Sequence, residues 1–240
     1  MNPMDHLTSF LQSLWQPMEE LFFPSVCLHC QEHLLQPADL PALCEACFQS
    51  LKPISSEVLQ HNVLHRLNPC YIDDIYTAFQ FNDVVQSLIH AIKYQQMPNL
   101  GRKVGKYVAT LLVSQISLHP EDKIIPVPLH STRKREREYN QSLEIARGLF
   151  EQQLNQIDIE ILIRERYTLS QTRLTREERR INVENAFRVT RPSQVSGKRF
   201  LLIDDVITTG STMNECARVL KSHGATHITA ISIAAPVRAD

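Results

Sequence analysis

The run FLLIDDVITTGST, residues 200–212, brings together the residue types needed to hold a phosphorylated sugar. Leu201, Leu202 and Ile203 are apolar; Asp204 and Asp205 follow as adjacent carboxylates; Thr208, Thr209, Ser211 and Thr212 then place hydroxyls around the single glycine, Gly210. Ionised carboxylates only accept hydrogen bonds, so a pair of them suits the vicinal hydroxyls of a ribose. Two such charges at the end of a buried run are costly unless something pairs with them. The loop from Val206 and Ile207 to Thr212 offers consecutive backbone N–H groups, and Gly210 lets it turn closely around a ligand. With the positive end of a following helix, this is a cradle for a terminal phosphate. No Gly-Lys-Ser/Thr closes the loop as in a nucleotide P-loop, and one glycine is too few for a dinucleotide fingerprint. Helix capping explains one or two of these residues, not the set.

Such a site needs a strand to deliver the acids and a helix to orient the loop. STMNECARVLKSHG continues from Ser211 with apolar residues at helical spacing until Gly224 stops it. Upstream, DIYTAFQF reads as a strand, DVVQSLIHAIKY and LGRKVGKYVATLLVSQI as helices, and KIIPVPLH as a short strand interrupted by Pro126 and Pro128. QSLEIARGLFEQQL is a further helix, IEILIRER a further strand, and HITAISIAAP ends the series. This alternation predicts an α/β fold, a doubly wound, mainly parallel sheet covered on both faces, with Asp204 and Asp205 at a strand's C-terminal end where ligands bind.

Four of the six cysteines form two pairs, CLHC (Cys27, Cys30) and CEAC (Cys44, Cys47), separated by thirteen residues. That spacing matches a tetrahedral Zn²⁺ site whose four thiolates leave no position open for catalysis, so the metal would be structural. Disulfides are the alternative, disfavoured in a reducing compartment. Residues 1–68 are expected to form an N-terminal helix and this cysteine module, and residues 69–240 the α/β domain. Cys70 and Cys216 stand alone and read as buried small hydrophobes.

The chain has 240 residues, 43% of them hydrophobic, enough for one large domain and a small one. Its formal charge is -1, but residues 1–70 hold two basic and seven acidic side chains, leaving 23 basic against 19 acidic in the rest. A mildly basic body permits a nucleic-acid partner without requiring one. No apolar run approaches the ~18 residues of a membrane span. The opening segment, with Leu7, Phe10, Leu11, Leu14, Met18, Leu21 and Phe22 at helical spacing, reads as an amphipathic helix rather than a leader, and a cytoplasmic location is expected. RERYTLSQTRLTREERR concentrates Arg164, Arg173, Arg176, Arg179 and Arg180 near Tyr167. Three readings stay open: a flap over the sugar phosphate, a groove for single-stranded DNA, or a solvated helix in which Glu177 and Glu178 balance the arginines.

LLIDDVITTGST resembles the phosphoribosyl-pyrophosphate (PRPP) signature of type I phosphoribosyltransferases. The wider chain resembles the ComF/GntX family, from FFPSVCLHC through LIHAIKY, IPVPLHSTRKREREYNQ and RYTLSQTRLTREERRINVENAF to GATHITAISIA. The resemblance implies a sheet of the type I phosphoribosyltransferase kind behind a small zinc-binding module at Cys27, Cys30, Cys44 and Cys47. It implies PRPP held with Mg²⁺ at Asp204 to Thr212, Asp204 and Asp205 on the ribose hydroxyls, and Arg133 and Arg137 on the pyrophosphate side. Arg173, Arg176, Arg179 and Arg180 are the nucleic-acid candidates. Single-stranded DNA and proteins of the competence machinery are the implied partners, and transfer of the phosphoribosyl group to an acceptor the implied reaction. Relatives usually carry glycine where this chain has Glu138.

Overall fold

In the computed structural model, which describes residues 26–34, 38–40, 42–112, 114–168 and 175–237, the chain divides into two units, residues 1–50 and 51–240. The helix expected over Leu7 to Phe22 lies outside the described residues, as do Arg173 and the side chain of Arg176. Within the smaller unit, Val26 and His33 form an antiparallel bridge around the first cysteine turn. Helix α1 (Glu45–Gln49) begins at Cys44 and carries Cys47 inward, and Leu40 and Leu43 are wholly buried. A core as small as the one these described residues form needs a staple.

The larger unit begins with α2 (Ser56–Asn62), capped by the Ser55 side chain, which accepts from Val58 N–H. It continues through β1 (Asp74–Gln80), α3 (Asp83–Tyr94), α4 (Pro98–Leu112), β2 (Lys123–Pro126), α5 (Ser131–Arg137) and α6 (Gln141–Leu149). β3 (Leu162–Arg164), α7 (Arg176–Val183), β4 (Phe187–Val189), β5 (Arg199–Val206), α8 (Ser211–Ser222) and β6 (His227–Ala235) complete it. Residues 51–68, grouped with the cysteines in the sequence, contribute Leu59 and Val63 to the core of this larger unit.

Among the described residues the main sheet runs β1-β6-β5-β2, all parallel, with Ile203 opposite Ile231 on one side and Pro126 on the other. The alternation in RFLLIDDV decides the layers. Phe200 and Leu202 join Met213, Cys216 and Leu220 of α8 in one core cluster, while Leu201 and Ile203, also buried, face the layer of α4 and α6. Those two helices touch backbone to backbone. A Cβ on Gly105 would lie 2.2 Å from the Ile145 carbonyl oxygen, and one on Gly148 1.9 Å from that of Arg102. No helix of the described residues is long and apolar enough to cross a membrane.

IEILIRER does not extend the parallel series: β3 pairs antiparallel with β4, Ile163 opposite Arg188, in a separate two-stranded sheet. Both strands are three residues long, too short for period-2 alternation to reveal partner or direction. QSLEIARGLFEQQL stops as a helix at Leu149, where Phe150 leaves helical geometry. Residues 131–137, part of the segment likened to a pyrophosphate loop, are helical, with the His130 ring capping Thr132 N–H.

Glu138, at the position where the family resemblance leads one to expect glycine, adopts the left-handed backbone a glycine would favour, φ 65° and ψ -17°. Holding a β-carbon there costs about 1–2 kcal/mol, whereas glycine's extra unfolded-state entropy costs roughly 0.5–1. Glu138→Gly is therefore expected to stabilise the protein by up to about 1 kcal/mol, seen as a higher urea midpoint at unchanged slope. A drop of the same size would show the Gln96–Glu138 hydrogen bond, 3.3 Å, to matter more than the strain.

Candidate functional site

β5 ends at Val206 in the middle of the sheet, so Asp204 and Asp205 reach the C-terminal edge beside the loop entering α8. Gly210 is the N-cap of α8 at φ 76°; a Cβ there would meet Val63 Cγ1 at 2.9 Å. Glycine is thus required by both backbone conformation and packing. The Thr209 and Ser211 hydroxyls lie 2.9 Å apart, and Ser211 N–H donates to Thr209 Oγ1 at 3.4 Å. Thr208 is exposed above them. Acids and loop together line a cavity of about 270 Å³ that also receives Val206, Ile207 and Thr212.

The two acids differ in environment. Asp205 is buried and ion-paired with Lys93, from the last turn of α3. Asp204 Oδ1 accepts from Ser142 Oγ at 2.9 Å and from Asp205 N–H at 3.0 Å. Burial and the neighbouring Asp205 carboxylate raise the Asp204 pKa to about 7. Burial also works against the Asp205 charge, but Lys93 outweighs it and holds that carboxyl below its usual range. Near neutrality the free site therefore holds one full negative charge and one half-titrated carboxyl.

Around them the cavity is cationic: Lys93, Arg133, Arg137, Arg164 and Arg179 face two carboxylates. Arg137 lies over the Tyr94 ring at 5.0 Å and donates to Gln141 Oε1 at 3.0 Å. Arg133 lies over Tyr167 at 5.6 Å. Arg164, at the end of β3, donates to Thr168 Oγ1 and stacks on Phe187 at 5.1 Å. Its burial works against its charge. The Nε atoms of Arg137 and Arg164 are buried without a hydrogen-bond partner among the described residues. Buried guanidinium donors of this kind call for oxygen atoms of an anion. Arg179 Nη1 donates to Thr208 Oγ1 at 3.0 Å, which sets the arginine-rich helix α7 on the phosphate-type loop.

The predicted residues Arg133, Arg137, Arg179 and Asp204 to Thr212 thus line one cavity, whereas Arg180 lines another. Lys93 and Ser142 were not singled out as site residues in the sequence. The one sign of Lys93 is its isolation as the only cation in DVVQSLIHAIKY; Ser142 is marked by Asn140, whose Oδ1 caps α6 by accepting from Ser142 N–H at 3.0 Å.

In the smaller unit the Sγ atoms of Cys27, Cys30, Cys44 and Cys47 all lie within 4.8 Å of one another, with Cys30 and Cys44 3.6 Å apart. Sulfurs on a tetrahedron about Zn²⁺ would be about 3.8 Å apart, given a Zn–S bond of about 2.3 Å. The four cysteines are positioned to bind a metal. Burial disfavours the Cys27 thiolate, but the backbone N–H groups of Cys44, Cys30 and His29 outweigh it and bring its pKa down to about 6.

Residues 102–239 match the family model described as phosphoribosyl transferase domain. The chain is 29% identical over 226 residues to competence protein F of Haemophilus influenzae, covering 86% of this chain and 95% of that protein. It is 32% identical over 152 residues to the DNA utilization protein YhgH of Escherichia coli O157:H7, covering 62% of this chain and 66% of that protein. The corresponding Salmonella typhimurium protein is 33% identical over 141 residues, or 58% and 61%. Lys93 lies outside the stretch matched by the family model.

Proposed function

The chain belongs to the phosphoribosyl transferase domain family, as a ComF-type member of it, and on that premise we propose that its cavity binds PRPP with Mg²⁺ in the service of DNA uptake. The observation that carries this reading is the meeting of Asp204 and Asp205 with the Thr208–Thr212 loop and five cationic side chains in one cavity. The ribose hydroxyls donate to the two carboxylates. The 5'-phosphate sits on the loop amides and hydroxyls at the start of α8, with Arg179 beside it through Thr208. The pyrophosphate takes Arg133, Arg137 and Lys93. The relatives named for competence and for DNA utilization support the role in DNA uptake.

In a transfer reaction the bond from the anomeric carbon to pyrophosphate breaks, and its electron pair leaves with the pyrophosphate. A lone pair of the acceptor forms the new bond, and the acceptor's proton passes to solvent. Positive charge develops on the ribose ring, next to Asp204 and Asp205. Mg²⁺ would be held with the ligand beside Asp204 and Asp205, and would supply charge neutralisation for the leaving group. Lys93 holds Asp205 ionised and also stands within reach of the departing charge. In the smaller unit the four thiolates take a structural Zn²⁺.

A second reading, a non-catalytic module that senses PRPP and binds single-stranded DNA, is favoured by the Arg179–Thr208 contact. That contact ties an arginine-rich helix to the phosphate loop without requiring turnover. The two readings separate on pyrophosphate release. The enzyme liberates it from Mg²⁺-PRPP only when an acceptor is added; the module binds PRPP and releases none across nucleobases, amines and oligonucleotides. Under either, Arg179→Ala is expected to weaken PRPP about tenfold by calorimetry, the loss of about one charge-assisted hydrogen bond. Unchanged affinity would remove α7 from the phosphate site.

A further inference from the structure

The apolar residues of α3, Val84, Val85, Leu88, Ile89 and Ile92, are buried, and Lys93 follows them in the last turn. Three side-chain contacts fasten this end of the helix on both sides of Lys93. Tyr139 Oη donates to the Ile92 carbonyl, Arg137 Nη2 donates to Tyr94 Oη at 3.3 Å, and Gln96 Nε2 donates to Glu138 Oε2 at 3.3 Å. The backbone is therefore held, while the ammonium sits on a flexible four-carbon stem. Lys93 lines the sugar-phosphate cavity and also an adjoining one of about 370 Å³, and Tyr94 and Arg137 are shared by the two in the same way.

Asp205 is the anion that Lys93 neutralises, its side chain 6% exposed against 23% for the lysine. Asp205 Oδ2 is buried yet accepts no hydrogen bond among the described residues, so the pair is held by charge and not by directed bonding. Removing the ammonium without replacement would leave a buried carboxylate uncompensated, far costlier than losing a surface pair. Oδ2 still calls for a donor, and a ribose hydroxyl supplies one. That hydroxyl shares Oδ2 with Lys93 or displaces it, and in both cases the ammonium is stabilised by an anion beyond the ribose. Arg137, in the same wall, keeps a buried Nε without a partner. Anionic oxygens carried on the anomeric carbon satisfy both cations.

We propose that Lys93 is the specificity-determining residue of the cavity, a built-in counter-cation for Asp205 that favours ribose phosphates with a second anionic group at the anomeric carbon over a bare ribose phosphate, and that keeps out a divalent cation arriving alone. The inference rests on the PRPP reading and names what that site selects. In the free site a divalent cation beside Asp204 and Asp205 meets the charge of Lys93, and Arg137 adds to the repulsion; Glu136, the acid of the adjoining cavity, is engaged by Arg133 at 3.4 Å. A ligand with anionic oxygens on Lys93 shields one cation from the other.

Calorimetric titration of the full, zinc-loaded chain with Mg²⁺-PRPP, ribose 5-phosphate and Mn²⁺ alone tests this. Lys93→Met is expected to bind PRPP at least about tenfold more weakly, the loss of one charge-assisted contact, while ribose 5-phosphate stays within about threefold of the parent. Mn²⁺ alone should bind the variant at least about tenfold more tightly than the parent, because the acids are no longer neutralised. Lys93→Arg keeps the charge and should keep Mn²⁺ out. Lys93→Gln carries the same expectations as Lys93→Met should the urea midpoint show the latter to be unfolded. Equal losses for PRPP and ribose 5-phosphate with Mn²⁺ binding unchanged would overturn the proposal and make Lys93 an ion-pair partner of structural effect only; the PRPP reading would stand if the parent binds PRPP. If the parent gives no heat with PRPP, that reading fails, and entry of Mn²⁺ into Lys93→Met but not into the parent would still establish Lys93 as the counter-cation of the acid pair.

Discussion

Asp205→Asn should bind Mg²⁺-PRPP about 100-fold more weakly than the parent chain in a calorimetric titration, a loss of about 3 kcal/mol. The substitution replaces an ionised acceptor by an amide and also strips Lys93 of its partner, leaving that cation facing another positive field. Asp204→Asn acts differently. Asp204 has a pKa near 7, raised by burial and by Asp205, and ribose hydroxyls need it ionised. The sign follows: below about 7 the free site carries a proton that binding must release, so affinity climbs by up to about tenfold per pH unit as pH rises toward that value, then levels. PRPP phosphates also titrate near pH 6. The diagnostic quantity is therefore the difference between the parent profile and that of Asp204→Asn, which should lack the component near 7. Identical profiles, or a parent-like affinity in Asp205→Asn, would show that the ligand does not use these acids.

Metal analysis of Cys47→Ser should find the zinc lost, against one per chain in the parent, with residues 26–50 unfolded while the larger unit stays native. A structural four-thiolate site contributes about 10–16 kcal/mol of apparent binding free energy, whereas the core it supports is, among the described residues, little more than Leu40, Ala42, Leu43, Cys27 and Cys47. Hydrogen exchange reads the outcome by region. Backbone amides of residues 42–50 in the variant should exchange at the rate of an unfolded chain, and those of β5 should keep parental protection because residues 51–240 form a separate unit. Retained protection in residues 42–50, or a parent chain free of metal after preparation without chelators, would make the cysteines an ordinary hydrogen-bonded cluster.

Linear patterns settled the local elements that carry the site. The span of α3 is DVVQSLIHAIKY itself, because apolar residues at helical spacing lie between an Asn82 cap and a polar end. β5, its acids and the α8 start were equally legible, since a buried strand, a charged edge and a glycine turn each leave a signature a few residues long. The cysteine spacing likewise foretold the four-sulfur cluster. Tertiary structure alone decided three things. It brought Lys93 to Asp205 and Ser142 to Asp204, pairings across 112 and 62 residues that no local period encodes. It turned β3 against β4, strands of three residues whose direction is chosen by the partner that pairs with their backbone. And it divided the arginine-rich segment, sending Arg179 to Thr208 and Arg180 to a second cavity, because neighbouring residues on a helix point about 100° apart. Composition can supply charge, but only the packing of a helix determines which cavity receives it.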